Sequence, residues 1–139
     1  MTAAIDAYCT ATGQPAPARP GAYVRAILES LALKYRVVLE QLESLTGVKV
    51  AEIRVIGGGS QNALLNQFTA DGTGRRVLAG PVEATALGNM AMQMVGTGVV
   101  ESLDAARDLI EYSFPARAFE PESDSGWEAA HQRFRALIG

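Results

Sequence analysis

Three consecutive glycines, Gly57, Gly58 and Gly59, limit the possible folds of this chain more than any other feature. A short β-branched strand pattern at residues 53–56 runs directly into them, and an amphipathic helix pattern follows. Glycine has no Cβ, so a flat ring or a phosphate can lie directly against the main chain. The first N–H groups of a helix lack partners within it and favour an anion. The order strand, glycine turn and helix therefore predicts a turn that approaches a nucleotide closely.

The better-known glycine motifs do not fit this turn. The dinucleotide fingerprint has a third glycine where this chain has Asn62, and it requires an acid after the second strand, which ends in residues 78–80 without one. The phosphate-binding loop requires a lysine that is absent here. A purely structural turn stays open as an alternative, although one glycine normally suffices for a turn. For a ligand role, we expect Gly58 to supply bare surface and the Asn62 amide to donate to and accept from adenine or ribose, with Ser60 capping the helix.

The periodicity of apolar residues predicts a short β-α-β-α core flanked by helices. Two strands joined by a helix should pair in parallel through a right-handed crossover. Two strands are too few for a parallel sheet, so the pattern also indicates that strands are missing. Strands are predicted at residues 53–56 and 76–78, an extended segment at 114–122, and helices at 3–12, 21–46, 63–71, 85–95, 103–110 and around Trp127, Phe134 and Leu137.

The helix at 21–46 carries an apolar stripe over about seven turns. We expect this stripe to pack on a sheet, with a coiled-coil partner as the alternative. The face that carries Arg25, Glu29, Arg36, Glu40 and Glu43 is expected to face solvent. The stripe consists of Val24, Ile27, Leu28, Leu31, Tyr35, Val38, Leu42 and Leu45.

The shorter helices have their own expected contacts and caps. Leu64, Leu65 and Phe68 should face inward. The small residues Ala86, Gly88 and Ala91 should allow close contact between helix and sheet. Ser102 should cap the helix that follows it, and Ser123 or Asp124 should cap the last helix.

Composition excludes several classes of function. A formal net charge of −3 and scattered arginines argue against nucleic-acid binding. The pair Arg75-Arg76 could touch a phosphate, but a solvated strand start is the favoured interpretation. No run is long and apolar enough to cross a membrane, and the N-terminus lacks the pattern of a secretory signal. We therefore expect a cytoplasmic protein without a membrane partner.

Candidate catalytic groups are few. Cys9 is the only cysteine and is expected to be a small buried residue of a helix, and His131, the only histidine, is expected at the surface. One cysteine and one histidine make a zinc site implausible. Glu83 is interpreted as a carboxylate that stabilises a helix N-terminus, and Asp71 as a solvated helix-end residue, because neither has a partner for acid–base chemistry.

Several segments together resemble the C-terminal domain of FGGY carbohydrate kinases. The resemblance begins with residues 53–62 (IRVIGGGSQN), 64–67, 70–71 and 80–89 (GPVEATALGN). It continues upstream through residues 8–9, 12–15 and 29–36, and downstream through 102–103, 113–114, 119–121 and Trp127. It covers nearly the whole chain, so residues 1–139 are predicted to be one piece of that nucleotide-binding domain.

The resemblance implies an actin-like, ribonuclease H-like ATPase fold of two domains, with ATP in the cleft between them. In this family the second glycine of the turn contacts the nucleotide, and the asparagine lies beside the adenine. The implied cofactor-binding residues are Gly58 and Asn62, flanked by Gly57 and Gly59. The segment 83–88 supports the turn and the interdomain hinge, without an assigned contact.

The resemblance also implies what this chain does not carry. The family's phosphate-binding hairpin, sugar-binding residues, catalytic aspartate and first three strands of the C-terminal domain match nothing in these 139 residues. Met1 falls where such a kinase would be in mid-domain, so the sequence is predicted to be a fragment with neither catalytic nor metal-binding residues.

The implied activity is transfer of the ATP γ-phosphate to a ketose hydroxyl, with L-rhamnulose as the favoured sugar. Mg²⁺ would be held mainly by parts outside the chain, and the isolated chain is expected to be inactive. The alternative is a non-catalytic remnant that self-associates, as a homodimer for example, through its long helix and open strand edges.

Overall fold

The computed structural model describes residues 1–122 and 126–138 as a small three-strand sheet with six α-helices. The predicted helices and both predicted strands are confirmed, with ends shifted by at most about three residues. A 3₁₀ turn, Gly57–Gln61, separates β1 from α3. The elements are α1 Thr2–Ala11, α2 Pro20–Thr46, β1 Glu52–Val55, α3 Ala63–Thr73, β2 Arg76–Ala79, α4 Ala84–Gly96, α5 Leu103–Ser113, β3 Arg117–Phe119 and α6 Trp127–Ile138.

The sheet has the order β1-β2-β3. β1 and β2 pair in parallel, with Ile53 opposite Val77, as predicted for two strands joined by a helix. β3 pairs antiparallel with β2, which places Phe119 opposite Val77 on its other side. The sequence predicted only an extended segment there, because a three-residue strand is too short to show an alternating pattern. Val77 and Phe119 are buried together with Ala70 and Ala79, so the core of the sheet lies under α3.

α3 is the central helix of the fold, since it contacts α2, α6, β2 and β3. Phe68 is buried as predicted, and its ring centroid lies 5.5 Å from that of Trp127 on α6. Leu64, which was also expected to face inward, is 48% exposed. Gly72 lies inside α3, where an added Cβ would come within 3.2 Å of the Trp127 ring. α2, α3 and α6 therefore meet closely at Gly72, and any larger residue there would require the Trp127 ring to move.

The predicted orientation of α2 is wrong. The apolar stripe remains largely exposed, whereas α3 and α6 pack against the opposite side of α2. The charged residues on that side are paired: Arg36 contacts Glu40 at 3.0 Å and Glu128 at 2.6 Å. Charge pairing and the small Ala32 allow the neighbouring helices to approach there. The buried residues of α2 are Ala32, Leu33, Val37, Leu39 and Glu43.

α4 contacts α5 more extensively than it contacts the sheet. Leu87 and Ala91 of α4 are buried, as is Ala106 of α5, whereas Ala86 and Gly88 are exposed. The expected close contact of α4 with the sheet is therefore wrong. The Ser102 cap is confirmed, because its Oγ accepts from the Ala105 N–H at 3.1 Å. The predicted caps Ser123 and Asp124 lie outside the described residues.

Three other expectations about single residues are wrong. Cys9 is only partly buried, and none of the residues of α1 is fully buried. Asp71 is held within the structure, since its Oδ1 accepts from Gln67 Nε2 at 2.8 Å and from the Glu122 N–H at 2.9 Å. His131 is 4% exposed, with Nε2 lying 3.5 Å from Glu40 Oε2.

Burial of His131 lowers the pKa of its imidazole, and the charge of Arg36 lowers it further, while the carboxylates of Glu40 and Glu128 act in the opposite direction. Burial thus favours the neutral form of this ring at the junction of α2 and α6. No helix in the described part of the chain combines the length and apolarity needed to span a bilayer.

Arg75 and Arg76 both pair with carboxylates. Arg76, at the start of β2, is half exposed and lies 2.9 Å from Glu120, which agrees with a solvated strand start. Arg75 lies 3.2 Å from Glu43, which is buried on α2. Glu43 also accepts from Lys49 and from the Val50 N–H, and these bonds lower its pKa to about 2. One carboxylate thus joins the end of α2 to the segments that begin β1 and β2.

Candidate functional site

The turns that follow β1 and β2 are hydrogen-bonded to each other. The Gly57 N–H donates to the Pro81 carbonyl oxygen at 3.1 Å, and the Gly80 N–H donates to the Val55 carbonyl oxygen at 2.8 Å. Both turns lie at the carboxyl ends of parallel strands, the edge at which open α/β sheets bind ligands. The glycine run therefore lies where a ligand-binding turn of such a sheet is expected.

The glycine turn is fixed from within. Gly57 has φ = +73°, a left-handed conformation that favours glycine. Ser60 Oγ donates to the Gly57 carbonyl at 2.7 Å, and Asn66 Nδ2 donates to the Ser60 carbonyl at 3.0 Å. Asn66 is only 1% exposed, so the turn rests on a buried amide. We did not predict this support, although a polar residue amid the apolar positions of α3 was a signal for it.

Gly58 has a different character from Gly57. It is exposed, has no left-handed φ, and an added Cβ would meet nothing within 4 Å. A Cβ on Gly59 would make an ordinary 3.7 Å contact with Val55 Cγ1. The backbone conformation of the turn therefore accounts for a glycine at position 57 but not for one at position 58. The backbone of Gly58 is therefore open to any group that approaches it from solvent.

Asn62, and not Ser60, caps α3. Its Oδ1 accepts from the Leu65 N–H at 3.1 Å, while Ser60 closes the 3₁₀ turn. The predicted cap was wrong because the 3₁₀ turn delays the start of the α-helix until Ala63. Asn62 is exposed, and capping uses only its oxygen. The Nδ2 group is therefore the part of this amide that remains for a ligand.

The site offers backbone and amide groups but little charge. Residues 57–62 carry no ionisable side chain. Glu83, exposed at the N-terminus of α4, makes no side-chain capping bond. Within residues 1–122 and 126–138, no three His, Cys, Asp or Glu side chains cluster as metal ligands. The turn thus offers neutral hydrogen-bonding groups and no charged side chain.

Residues 1–97 match the C-terminal domain of the FGGY family of carbohydrate kinases. The chain belongs to this family. The match contains both turns of the site and all elements from α1 to α4. It confirms the resemblance drawn from the glycine run and the GPVEATALGN segment.

Members of the family that act as rhamnulokinases match the chain along its length. The rhamnulokinase of Bacteroides thetaiotaomicron is 47% identical over 138 residues, which are 99% of this chain and 28% of that protein. The rhamnulokinase of Enterococcus faecalis is 45% identical over 137 residues, and that of Pectobacterium atrosepticum is 42% identical over 137 residues. The chain spans 28% of the length of these relatives.

Proposed function

We propose that this chain is the ATP-binding portion of a sugar kinase of the actin-like ATPase fold. The kinase transfers the ATP γ-phosphate to a hydroxyl of a ketose, converting L-rhamnulose to L-rhamnulose 1-phosphate. Family membership supports the reaction class, and the three rhamnulokinase relatives support the sugar. The observation that carries the proposal is the bare backbone of Gly58 beside Asn62, at the carboxyl edge of two parallel strands.

The three glycines and Asn62 have assigned roles in this proposal. Gly57 shapes the turn through its left-handed backbone, and Gly58 and Gly59 present main chain to the adenosine. Asn62 Nδ2 donates to the adenine edge or the ribose, while its oxygen continues to cap α3. ATP supplies the phosphoryl group. No residue of the turn carries the charge needed to hold Mg²⁺ or the phosphates. We therefore assign the binding of Mg²⁺ and the phosphates to those segments of the kinase that have no counterpart in this chain.

Binding to this chain alone is expected to be weak. A nucleotide contacted on one side only should have a dissociation constant of about 1 mM or more, which corresponds to about −4 kcal/mol or less favourable binding. No residue here matches the family's catalytic aspartate, so the chain alone should phosphorylate no sugar. Micromolar affinity for ATP would contradict this part of the proposal.

Chemical-shift titration by NMR tests the site, because it detects millimolar binding residue by residue. With ADP–Mg²⁺ we expect saturable shifts concentrated on the amides of residues 57–62. Gly58→Val places a side chain in the open space and should abolish these shifts. Gly21→Val is the matched control, since Gly21 is equally open and lies on α2.

Asn62 requires a variant that preserves the cap. Asn62→Asp retains an oxygen that accepts from the Leu65 N–H but removes the Nδ2 donor. It should weaken binding without unfolding α3, which circular dichroism would verify. Shifts that spread evenly over the chain, or that persist unchanged in Gly58→Val, would contradict the assignment of this turn to adenosine.

A further inference from the structure

Asn66 of α3 is a buried amide that neither helix formation nor packing requires. It lies in the interior of the helix and is 1% exposed, yet asparagine is a weaker helix former than leucine or alanine. A buried amide also costs stability unless its polar groups are hydrogen-bonded. The Nδ2 group of Asn66 donates to the Ser60 carbonyl oxygen at 3.0 Å. This bond to the glycine turn is what an amide at position 66 provides and an apolar residue would not.

The bond from Asn66 is the first of a series that crosses the turn. Ser60, whose carbonyl oxygen Asn66 holds, donates through its own Oγ to the Gly57 carbonyl at 2.7 Å. The Gly57 N–H donates to the Pro81 carbonyl oxygen at 3.1 Å. The series therefore connects the interior of α3 to the turns after both parallel strands. All four residues lie within the segment that matches the family's domain.

Asn62 is fixed from the same helix. Its carbonyl oxygen accepts from the Asn66 N–H at 3.0 Å, and its own N–H donates to the Gly59 carbonyl oxygen at 3.2 Å. Residues 62 and 66 are four positions apart, so they lie on the same side of α3. Ser60 precedes Asn62 by only two residues. A displaced Ser60 carbonyl would therefore move the peptide groups that lead into Asn62, and its side-chain amide with them.

We infer that Asn66 is a positioning residue for nucleotide binding. Its Nδ2 group holds the Ser60 carbonyl oxygen towards α3 and thereby sets the conformation in which Gly58 and Asn62 meet the adenosine. The inference rests on the proposed function, because only that proposal assigns the turn to adenosine. Asn66 is enclosed by protein, so it acts through the turn and not by contact with the nucleotide. The N–H donor of its side chain, and not the side-chain volume, has this effect.

Asn66→Leu separates the donor from the volume. Leucine is similar in size but has no N–H donor, so the Ser60 carbonyl oxygen loses its partner. In the NMR titration with ADP–Mg²⁺, the affinity measured at residues 57–62 should fall roughly fivefold.

Thr69→Val is the matched control for this variant. Thr69 is also 1% exposed on α3, but its Oγ1 donates to the Leu65 carbonyl oxygen within the same helix, at 2.7 Å. The substitution thus removes a buried polar group of α3 that has no bond to the turn. Thr69→Val should bind ADP–Mg²⁺ as the wild type does.

Asn66→Asp provides a rescue that a merely structural role does not predict. An ionised carboxylate only accepts hydrogen bonds, whereas a protonated carboxyl group has an O–H that can donate to the Ser60 carbonyl oxygen. Burial raises the pKa of a carboxyl group, so lowering the pH from about 8 to about 5.5 increases its protonated fraction. The affinity of Asn66→Asp, divided by that of the wild type at the same pH, should therefore rise severalfold. Division by the wild-type value removes the titration of the nucleotide and of the other groups of the chain.

Failure of this inference is distinguishable from failure of the proposed function. A wild type without saturable shifts at residues 57–62 would overturn both. If the wild type binds, three results would each overturn the inference alone: Asn66→Leu binding as tightly as the wild type, Thr69→Val weakening binding as much as Asn66→Leu, or a relative affinity of Asn66→Asp that does not change with pH. Circular dichroism verifies folding, and if Asn66→Asp unfolds at the higher pH, Asn66→Leu and Thr69→Val decide.

Discussion

The Gly57 N–H and the Pro81 carbonyl oxygen lie 3.1 Å apart and form a hydrogen bond between the turns after β1 and β2. The bond couples the proposed adenosine-contacting turn to the segment that leads into α4. It forms because Gly57 adopts a left-handed conformation at the end of β1. The geometry of the site thus depends on one glycine that need not touch the nucleotide.

Gly57→Ala should destabilise the chain by about 1–2 kcal/mol, because alanine is strained at φ = +73°. Urea denaturation measures the loss. Gly58→Ala is the matched control and should leave the unfolding midpoint unchanged, since its backbone is unstrained and its Cβ meets no atom within 4 Å. Equal effects of the two substitutions would mean that the turn does not depend on the Gly57 conformation.

Glu43→Gln should lower stability at pH 7, because the carboxylate accepts hydrogen bonds from Lys49, Val50 and Arg75. These bonds lower the pKa of Glu43 from 4.5 to about 2. The folded state therefore gains stability from Glu43 above pH 4.5 and loses it as pH falls towards 2. The difference in urea midpoint between wild type and variant should accordingly shrink from pH 7 to pH 3. The exposed Glu101 provides the control Glu101→Gln, for which a loss as large as that of Glu43→Gln would contradict the prediction.

His131 should make the chain less stable as pH falls below the ordinary histidine pKa of 6.5. Burial lowers the pKa of the folded imidazole, so below pH 6.5 the unfolded chain takes up a proton that the folded chain does not. Thermal unfolding between pH 7.5 and pH 5.5 measures the slope. His131→Gln should flatten it. Rising stability over this range would instead show that protonated His131 pairs with Glu40, which lies 3.5 Å away.

Gly72→Leu should displace α6 from α3. A Cβ added at this position would lie 3.2 Å from Trp127 Cε3 and 3.7 Å from the Ala32 Cβ, so a larger side chain cannot fit without moving the ring. Trp127 is the only tryptophan of the chain, and its fluorescence should shift to the red as it becomes hydrated. Gly21→Leu, at an open position, should leave the emission unchanged. An unshifted spectrum of Gly72→Leu would show that α6 does not depend on this contact.

The β-α-β unit was predictable because its signals are local. The branched residues of β1, the glycines after it and the apolar residues of α3 all lie within one short stretch of sequence. The position of both turns at one edge of the sheet follows from that order, since parallel strands end on the same side. Ser60 was mistaken for the cap because sequence patterns do not distinguish a 3₁₀ turn from the first turn of an α-helix.

The errors concern contacts between distant parts of the chain. His131 was assigned to the surface because its α2 neighbours, Arg36 and Glu40, are far away in sequence. The buried side of α2 was misassigned for a related reason. Its charges are neutralised by Glu128 of α6 and by Lys49 and Arg75, and this compensation becomes visible only when the elements are packed.

The length of α2 has a mechanical consequence. Its 27 residues form a rod of about 40 Å. Tyr23, near one end, is anchored to Asp6 of α1, and Glu43, near the other, holds the segments that lead into β1 and β2. A tilt of this lever about its middle would displace both ends in opposite directions. The movement would reach β1, the strand that leads into Gly57, without any change in the helix itself.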